Sequence, residues 1–401
     1  MKSYNILRCG DQYGWAYHNV SKEHAKYSRH TMAYANQKDI NLDNINLIYI
    51  HSPDISNYHS NLLPQIAKRA GIKVIGAYAG DPAYWNRDNM KIYSHADLIV
   101  TISPQTYKFA KVNYPNTPVV FLPESIDLEF FSPKESYNKN SFKVGWAGGA
   151  HKKIKRVSIA QQLDYSVQIQ SNWGKFTENN NSLASMKDFY HSLDAFIVTS
   201  ETECMPRVVL EAMACGLPII STDVGCVWML LRSGYITKVN PEDILVQEMN
   251  SKLKLLYENP DLREEIGKTN LAHVKKYFSW QSNTILWDNV FQDVIENDIP
   301  TILRECDIFL ASFKQEFQKR IENIQVSNIT QQLQYIQARV NTYINALIKE
   351  NIPVELTSAI NESRLVRLKT NSILNKNKIM EITTLQFKSI LDLVNLDIVC
   401  Q

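Results

Sequence analysis

Short apolar segments alternate with stretches of helical periodicity along the first 280 residues of this chain of 401 residues. Such alternation is typical of parallel β-sheets covered by helices, because consecutive parallel strands are joined by helical crossovers. A first unit is predicted to contain strands at Tyr4–Arg8, Leu47–Ile50, Lys73–Ala77, Leu98–Ile102 and Val119–Leu122, and helices at Trp15–Ala35, Asn61–Ala70 and Gln105–Asn113. A second unit is predicted to contain strands at Phe142–Ala147, Ser166–Gln170, Ala195–Thr199, Leu217–Ser221 and Tyr235–Val239.

The boundaries of these units follow from composition. A turn over Pro123–Pro133 and a polar stretch over residues 134–140 separate them. The sequence therefore predicts a first α/β domain over residues 1–134, a second over 141–280 and a crossover helix over 281–297. From residue 298 to 401, apolar residues recur at three- and four-residue steps, which predicts an all-helical extension. Four roles of this extension stay open: it could pack on the core, form a homo-oligomer, bind a partner or acceptor, or contact a membrane.

Composition narrows the class of protein. The chain has 43 basic and 41 acidic residues, a net charge of +2, which favours neither a polyanion-coating protein nor an acidic tail. Its six cysteines are scattered and indicate reduced thiols. No segment approaches the roughly 20 apolar residues needed to span a bilayer, and the start lacks the apolar core of a signal peptide. We therefore expect a cytoplasmic protein, with peripheral membrane attachment left open.

Two glutamates, Glu203 and Glu211, mark the most informative segment. An apolar strand at Ala195–Thr199 precedes them, and a short helix is predicted to open after Pro206 and close at Gly216. Glu203 then lies in the loop at the carboxyl end of a strand, and Glu211 lies in the following helix. Open parallel sheets bind ligands at this edge, and a carboxylate can accept hydrogen bonds from both hydroxyls of a vicinal diol.

A glycine-rich basic turn follows the first strand of the second unit. Gly148 and Gly149 allow the backbone to approach a ligand closely, and the amides that open a helix attract anions. Lys153, Lys155 and Arg156 come next in the chain. The pattern is typical of a site that binds phosphate groups and stabilises negative charge.

The segment Ser200–Gly225 resembles the donor-sugar signature of retaining glycosyltransferases of family 4. That family has the GT-B fold of two facing Rossmann-like domains. The strand Ala96–Ser103, the turn Pro123–Pro133 and the closing motif Phe278–Gln281 also resemble the family, in the expected order. The resemblance covers residues 1 to about 297 and implies an acceptor domain followed by a domain for the nucleotide sugar.

The resemblance also implies roles for individual residues. Glu203 would approach the transferred sugar, and Glu211 would hold the ribose of the nucleotide. Lys153, with Lys155 or Arg156, would contact the diphosphate. In the loop between the two glutamates, Met205 and Pro206 keep the family's expected shape.

The chain departs from the family's pattern at three places. Trp146 stands where an Arg often follows the strand glycine, and Cys204 replaces a glycine. The first domain lacks the family's usual His, since Ala79 or Gly80 occupies its expected position. Two residues at predicted strand ends, Asp81 and His51, are the candidates to replace it as catalytic groups.

The resemblance implies a retaining, metal-independent transfer of a sugar from a nucleoside diphosphate sugar, UDP- or GDP-linked, to an acceptor hydroxyl. The sugar donor is a co-substrate bound between the domains, and no further cofactor is expected. Three alternatives stay open: a sugar-nucleotide epimerase, a phosphorylase, and a non-catalytic sugar-nucleotide or partner-binding protein. The acceptor is also open among glycan, lipid-linked, protein and modified nucleic-acid substrates.

Overall fold

The computed structural model describes residues 2–10, 16–36, 40–51, 62–78, 93–134, 142–171, 183–237, 241–304 and 306. The candidate Asp81 and the helical extension beyond residue 306 lie outside these residues. Within the described part of the chain, no helix is long and apolar enough to cross a membrane.

The first domain contains a parallel sheet of six strands. Its strands are β1 (Asn5–Cys9), β2 (Thr31–Ala35), β3 (Leu47–Ile50), β4 (Lys73–Tyr78), β5 (Leu98–Thr101) and β6 (Val119–Phe121), in the order β2-β1-β3-β4-β5-β6. The described helices between them are α1 (Ala16–Tyr27), α2 (Leu63–Arg69) and α3 (Pro104–Asn113). The inner strands β3 and β5 are buried along their whole length, as expected of parallel strands covered on both faces.

The predicted helix Trp15–Ala35 is wrong in its second half. The helix α1 ends at Tyr27, and Thr31–Ala35 forms the edge strand β2, paired in parallel with β1. Only Ala35 of this strand is fully buried. An edge strand with one neighbour buries little apolar surface, so its sequence shows no clear apolar run that would separate it from the preceding helix.

The second domain contains a parallel sheet of five strands. These are β7 (Val144–Ala147), β8 (Val167–Gln170), β9 (Ala195–Val198), β10 (Ile219–Thr222) and β11 (Tyr235–Thr237), in the order β11-β10-β9-β7-β8. The described α-helices of this domain are α4 (Val157–Gln161), α5 (Leu183–Ser192), α6 (Arg207–Ala214), α7 (Val227–Leu230), α8 (Glu242–Glu258) and α9 (Pro260–Tyr277). All five predicted strands are confirmed, with ends that coincide or shift by at most two residues.

The helix α10 (Trp280–Glu296) returns from the second domain to the first. Ser279 caps it by accepting a hydrogen bond from the amide of Ser282. The side chains of Trp287 and Phe291 are fully buried in the same apolar cluster as Ile6 of β1 and Tyr49 of β3. The core of the first domain is therefore completed by residues that follow the second domain in the chain.

Candidate functional site

The loop between β9 and α6 brings Glu203 onto the basic turn that follows β7. The Lys155 Nζ atom lies 2.5 Å from Glu203 Oε1, and the Ser200 hydroxyl donates to the same oxygen at 2.7 Å. The side chains of Lys155 and Glu203 retain 23% and 13% exposure, so a ligand can reach them. A cation and an acid that are 48 residues apart in the chain thus form one partly buried ion pair.

Trp146 holds this basic turn in place. Its indole Nε1 donates to Thr199 Oγ1 at 2.9 Å, and Thr199 Oγ1 donates to the Lys155 carbonyl at 2.8 Å. The amide of Glu201 donates to the Ile154 carbonyl at 2.7 Å. Trp146 is buried at 2% exposure, where an indole requires such a partner. The residue that departs from the family pattern therefore supports the turn from inside the domain.

The glycines and the remaining cations line the same turn. Gly148 has a φ of +157°, and a Cβ atom there would lie 3.2 Å from the Trp146 ring. The Gly149 carbonyl accepts from the amide of Lys152 at 2.9 Å. Lys153 is exposed, while Arg156 is half-buried at the junction with α4. The structure therefore places Lys155 in contact with Glu203 and leaves Lys153 exposed.

Glu211 lies in the middle of α6 and is held by two side chains. The Tyr190 hydroxyl donates to Glu211 Oε2 at 2.8 Å, and Arg207 Nε lies 3.2 Å from Glu211 Oε1. Burial raises the pKa of Glu211 to about 7, although Arg207 and the Tyr190 hydrogen bond act in the opposite direction. Near neutral pH this carboxyl group therefore exists in both protonation states.

The loop that carries Met205 and Pro206 lies against the first domain. Both residues are buried, and the preceding Cys204 places its Sγ atom 3.5 Å from the hydroxyl of Ser103, which caps α3. On its other side, the Cys204 carbonyl accepts from the amide of Cys226 at 2.9 Å. The loop between the two glutamates is thus part of the contact between the domains.

Arg207, which the sequence reasoning did not single out, joins the two domains. Its Nη2 atom contacts Glu23 Oε1 of α1, and its Nη1 atom donates to the Ser125 carbonyl at 3.5 Å. Glu23 lies 184 residues upstream, so no local sequence pattern predicts this ion pair. Its position at the start of α6, four residues before Glu211, was the only available signal.

His51 lies inside the first domain. Its Nε2 atom accepts from Arg8 Nε at 3.1 Å, and its ring stacks on Tyr17 with centroids 4.8 Å apart. Burial, followed by the charge of Arg8, lowers its pKa well below the usual value, so the ring is neutral. A catalytic group must reach the substrate, and His51 has no exposed surface in this structure.

In the described ranges, no group of three or more His, Cys, Asp or Glu side chains is arranged to hold a metal ion.

Part of the second domain matches a known protein family. Residues 142–273 match the family model of glycosyl transferases group 1. The sulfoquinovosyl transferase of Arabidopsis thaliana is 34% identical over 101 residues, which cover 24% of this chain and 19% of that protein. The capsular polysaccharide biosynthesis glycosyltransferase CapM of Staphylococcus aureus is 25% identical over 218 residues, covering 46% of this chain and 53% of that protein. The chain therefore spans about half or less of the length of these relatives.

Solved structures extend the likeness to both domains. Sucrose-phosphate synthase from Thermosynechococcus elongatus superposes with a TM-score of 0.58 at 13% identity, over 73% of this chain and 100% of that one. This chain has the GT-B fold. The Anabaena protein HepE in complex with UDP gives a TM-score of 0.54 at 13% identity, over 73% of this chain and 100% of that one. In the GT-B arrangement, Lys155, Glu203 and Glu211 lie in the second of the two Rossmann-like domains.

Proposed function

We propose that this protein is a retaining glycosyltransferase of family 4 that moves a sugar from a nucleoside diphosphate sugar, UDP- or GDP-linked, to an acceptor hydroxyl. The observation that carries the proposal is the Lys155–Glu203 ion pair beside the helix of Glu211. The match of residues 142–273 to group 1 glycosyl transferases supports it. So do the structures of HepE with UDP and with UDP-glucose, which have the same fold.

The basic turn is proposed to contact the diphosphate of the sugar donor. When the bond between sugar and diphosphate breaks, negative charge develops on the leaving phosphate, and the Lys155 ammonium stabilises it without a metal ion. Lys153 or Arg156 supplements that charge, and Gly148 and Gly149 let the backbone approach the phosphates.

The two glutamates bind hydroxyl groups of the sugar donor. Glu203 accepts from the transferred sugar while Lys155 and Ser200 hold its carboxylate in place. Glu211 accepts from the two ribose hydroxyls, because each of its oxygens has a second acceptor position beyond its protein partner. The loop of Met205 and Pro206 forms the wall beside the sugar, and its contact with Ser103 of the first domain restricts the access of water.

A thermal-shift screen tests the nucleotide part of the proposal. UDP, GDP, ADP and their common sugar conjugates are added to the full chain, and the transition temperature is measured. We expect the UDP or the GDP series to raise it, and Glu211→Ala to abolish the shift. If no nucleoside diphosphate stabilises the wild-type protein, the proposal is refuted.

Product analysis then identifies the reaction. The stabilising sugar donor is incubated with the protein and with panels of glycan, lipid-linked and protein acceptors, and the anomeric configuration of the product is determined. We expect transfer with retention. An epimerised donor without acceptor identifies an epimerase, phosphate-dependent turnover identifies a phosphorylase, and binding without turnover identifies a non-catalytic protein.

We propose that the first domain binds the acceptor. We place His51 in the packing of that domain, with Arg8 and Tyr17. Asp81 stays a candidate catalytic residue, and an Asp81→Asn variant measured with the transferred sugar will show whether turnover depends on its charge.

A further inference from the structure

Arg207 is placed between two buried carboxylates of different domains. Its Nε atom faces Glu211 Oε1 at 3.2 Å within α6, and its Nη2 atom contacts Glu23 of α1 in the first domain. The side chains of Arg207, Glu23 and Glu211 are only 12%, 5% and 8% exposed. A guanidinium group presents donors on several edges, so one Arg can hold two carboxylates at once, whereas a Lys offers a single point charge.

Glu23 is a fixed partner within the first domain. Its Oε2 atom accepts from the amide of Asp127 at 3.2 Å and from Trp280 Nε1 at 3.3 Å. Asp127 in turn accepts from the Tyr27 hydroxyl at 2.5 Å and from Lys26 Nζ at 2.9 Å. The remaining oxygen of Glu23 is the one that contacts Arg207. The position of the guanidinium is therefore set by α1 and by the start of α10, outside the second domain.

Glu211 depends on Arg207 for both its orientation and its charge. Arg207 and Tyr190 engage one oxygen each, which fixes the plane of the carboxylate. Burial works against ionisation of Glu211, and the guanidinium is the strongest of the groups that favour it. The ionised and oriented carboxylate presents acceptor positions on both oxygens to the hydroxyls of a diol, whereas the protonated form turns one of these positions into a donor.

We propose that Arg207 is a positioning residue that couples the binding of the nucleotide sugar to the contact between the two domains. This inference rests on the proposed role of Glu211 in holding the ribose. When the first domain holds Arg207 through Glu23, Glu211 is oriented to accept from the nucleotide. Because coupling free energies are reciprocal, nucleotide binding in turn strengthens the contact between Arg207 and Glu23.

The test measures the affinity of the nucleoside diphosphate that stabilises the wild-type protein, UDP or GDP, by titration calorimetry. The variants are Glu23→Gln, Arg207→Lys, Arg207→Met and the double variant Glu23→Gln with Arg207→Met. The matched control is Lys254→Met, which removes a cation from an exposed pair with Glu258 at the same four-residue spacing. Glu23 lies in the first domain and is not expected to touch the nucleotide.

We expect Glu23→Gln to weaken nucleotide binding by a factor between about 5 and 150, the usual range of coupling between sites. The double variant should bind as weakly as Arg207→Met alone, because both changes break the same connection. Arg207→Lys, which keeps the charge but loses the fork, should lie between wild type and Arg207→Met. The control should bind like the wild type.

A pH series separates positioning from general damage to the fold. Among the described residues, the titratable groups that interact with Glu211 are Arg207 of α6, Tyr190 of α5, Glu23 of α1 and the Cys215 thiol that follows α6. Without Arg207, ionisation of Glu211 loses its main support, so the pH midpoint of nucleotide binding should move upwards in Arg207→Met. A structural defect would lower affinity equally at every pH.

Three results would overturn the inference while leaving the proposed function intact: wild-type affinity in Glu23→Gln, additive losses in the double variant, or an unchanged pH midpoint in Arg207→Met. If Glu23→Gln does not fold, Arg207→Lys and Arg207→Met are compared instead. Equal nucleotide affinities in these two variants would then contradict the inference. If neither UDP nor GDP binds the wild-type protein, the proposed function itself fails.

Discussion

Lys155 contacts Glu203, whereas the family resemblance names Lys153, with Lys155 or Arg156, as the cations that would contact the diphosphate. The difference comes from the short 3-10 turn Lys153–Lys155, whose last residue is held by Thr199 through its carbonyl group. Lys153 points its charge into an exposed position, where water screens it. The structure therefore ranks Lys155, which is partly buried and contacts Glu203, above the exposed Lys153.

This ranking gives a prediction for turnover. Lys155→Met should lower kcat by about 100- to 1000-fold, the typical cost of removing one group that stabilises the developing charge. Lys155→Arg should retain part of the activity. Steady-state kinetics with the identified sugar donor make the measurement, and Lys254→Met provides the control. An equal loss in Lys153→Met would contradict the ranking.

A second prediction at this scale concerns pH. Glu211 has its pKa raised to about 7 by burial, so the fraction of ionised carboxylate grows as the pH rises from about 6 to about 8. The ionised form offers more acceptor positions to the ribose hydroxyls that we propose it binds, and nucleotide affinity should therefore increase across that window and level off above it. Titration calorimetry with UDP or GDP measures this dependence. In Glu211→Gln the rise should disappear; if it persists, another group causes it.

Residues placed by local order in the chain can be predicted from sequence, whereas contacts between distant residues cannot. The places of Glu203 in a loop and of Glu211 in a helix can be predicted because strand, loop and helix follow one another within a few residues, while the roles proposed for them rest on the family resemblance. Arg207 and Glu23 cannot be paired in this way, because 184 residues and two domains separate them. Such a contact is determined by the packing of whole helices, which a one-dimensional pattern does not contain.

At the scale of elements, the turn after β10 packs closely on the loop of the two glutamates. Gly225 has a φ of +51°, and a Cβ atom there would lie 2.2 Å from the Cys204 carbonyl oxygen and 2.6 Å from the Glu203 carbonyl oxygen. No side chain fits in this space without displacing the loop. The backbone of the turn and that of the loop therefore set the position of Glu203 together.

Gly225→Ala should lower both stability and nucleotide affinity, because the added methyl group pushes the loop away. The control is Gly71→Ala, which also has a positive φ, +75°, but has nothing within 4 Å of the added carbon. In that control, the free energy of unfolding should fall only by the cost of the backbone strain that the alanine introduces, about 1–2 kcal/mol. Urea denaturation and titration calorimetry measure the two effects. Equal losses of stability in the two variants would mean that the close contact is unimportant.

The sequence predicts the buried strands but misses the edge strand. The buried strands β3, β4, β5 and β9 are found from sequence because each contains a run of apolar residues, interrupted only by Gly76 in β4, that leaves few alternatives to a strand covered on both faces. The edge strand β2 is missed, since Ser28, Arg29 and His30 carry no glycine or proline to mark the end of α1. Its pairing with β1 is what makes Thr31–Ala35 a strand.

At the scale of the molecule, α10 holds the first domain together. Trp287 is fully buried, its ring lies 5.8 Å from Tyr49 and 5.9 Å from Phe291, and the guanidinium of Arg8 lies 5.9 Å from it. Trp287→Ala should lower the free energy of unfolding by about 3–5 kcal/mol, as large-to-small changes of buried aromatic residues do. Ile285→Ala in the same helix, 71% exposed, should change it by less than about 0.5 kcal/mol. Equal effects in the two variants would contradict this packing.

The return of α10 also has a consequence for the order of folding. Residues 142–277 form the sheet and helices of the second domain in one continuous stretch, whereas the apolar face of Ile6 and Tyr49 is covered only when residues 280–296 arrive. During translation the N-terminal strands leave the ribosome first, yet their face has no complete cover until the second domain has been made. Since domains generally fold as units during synthesis, we expect the later half of this fold to mature first and the earlier half to wait for it.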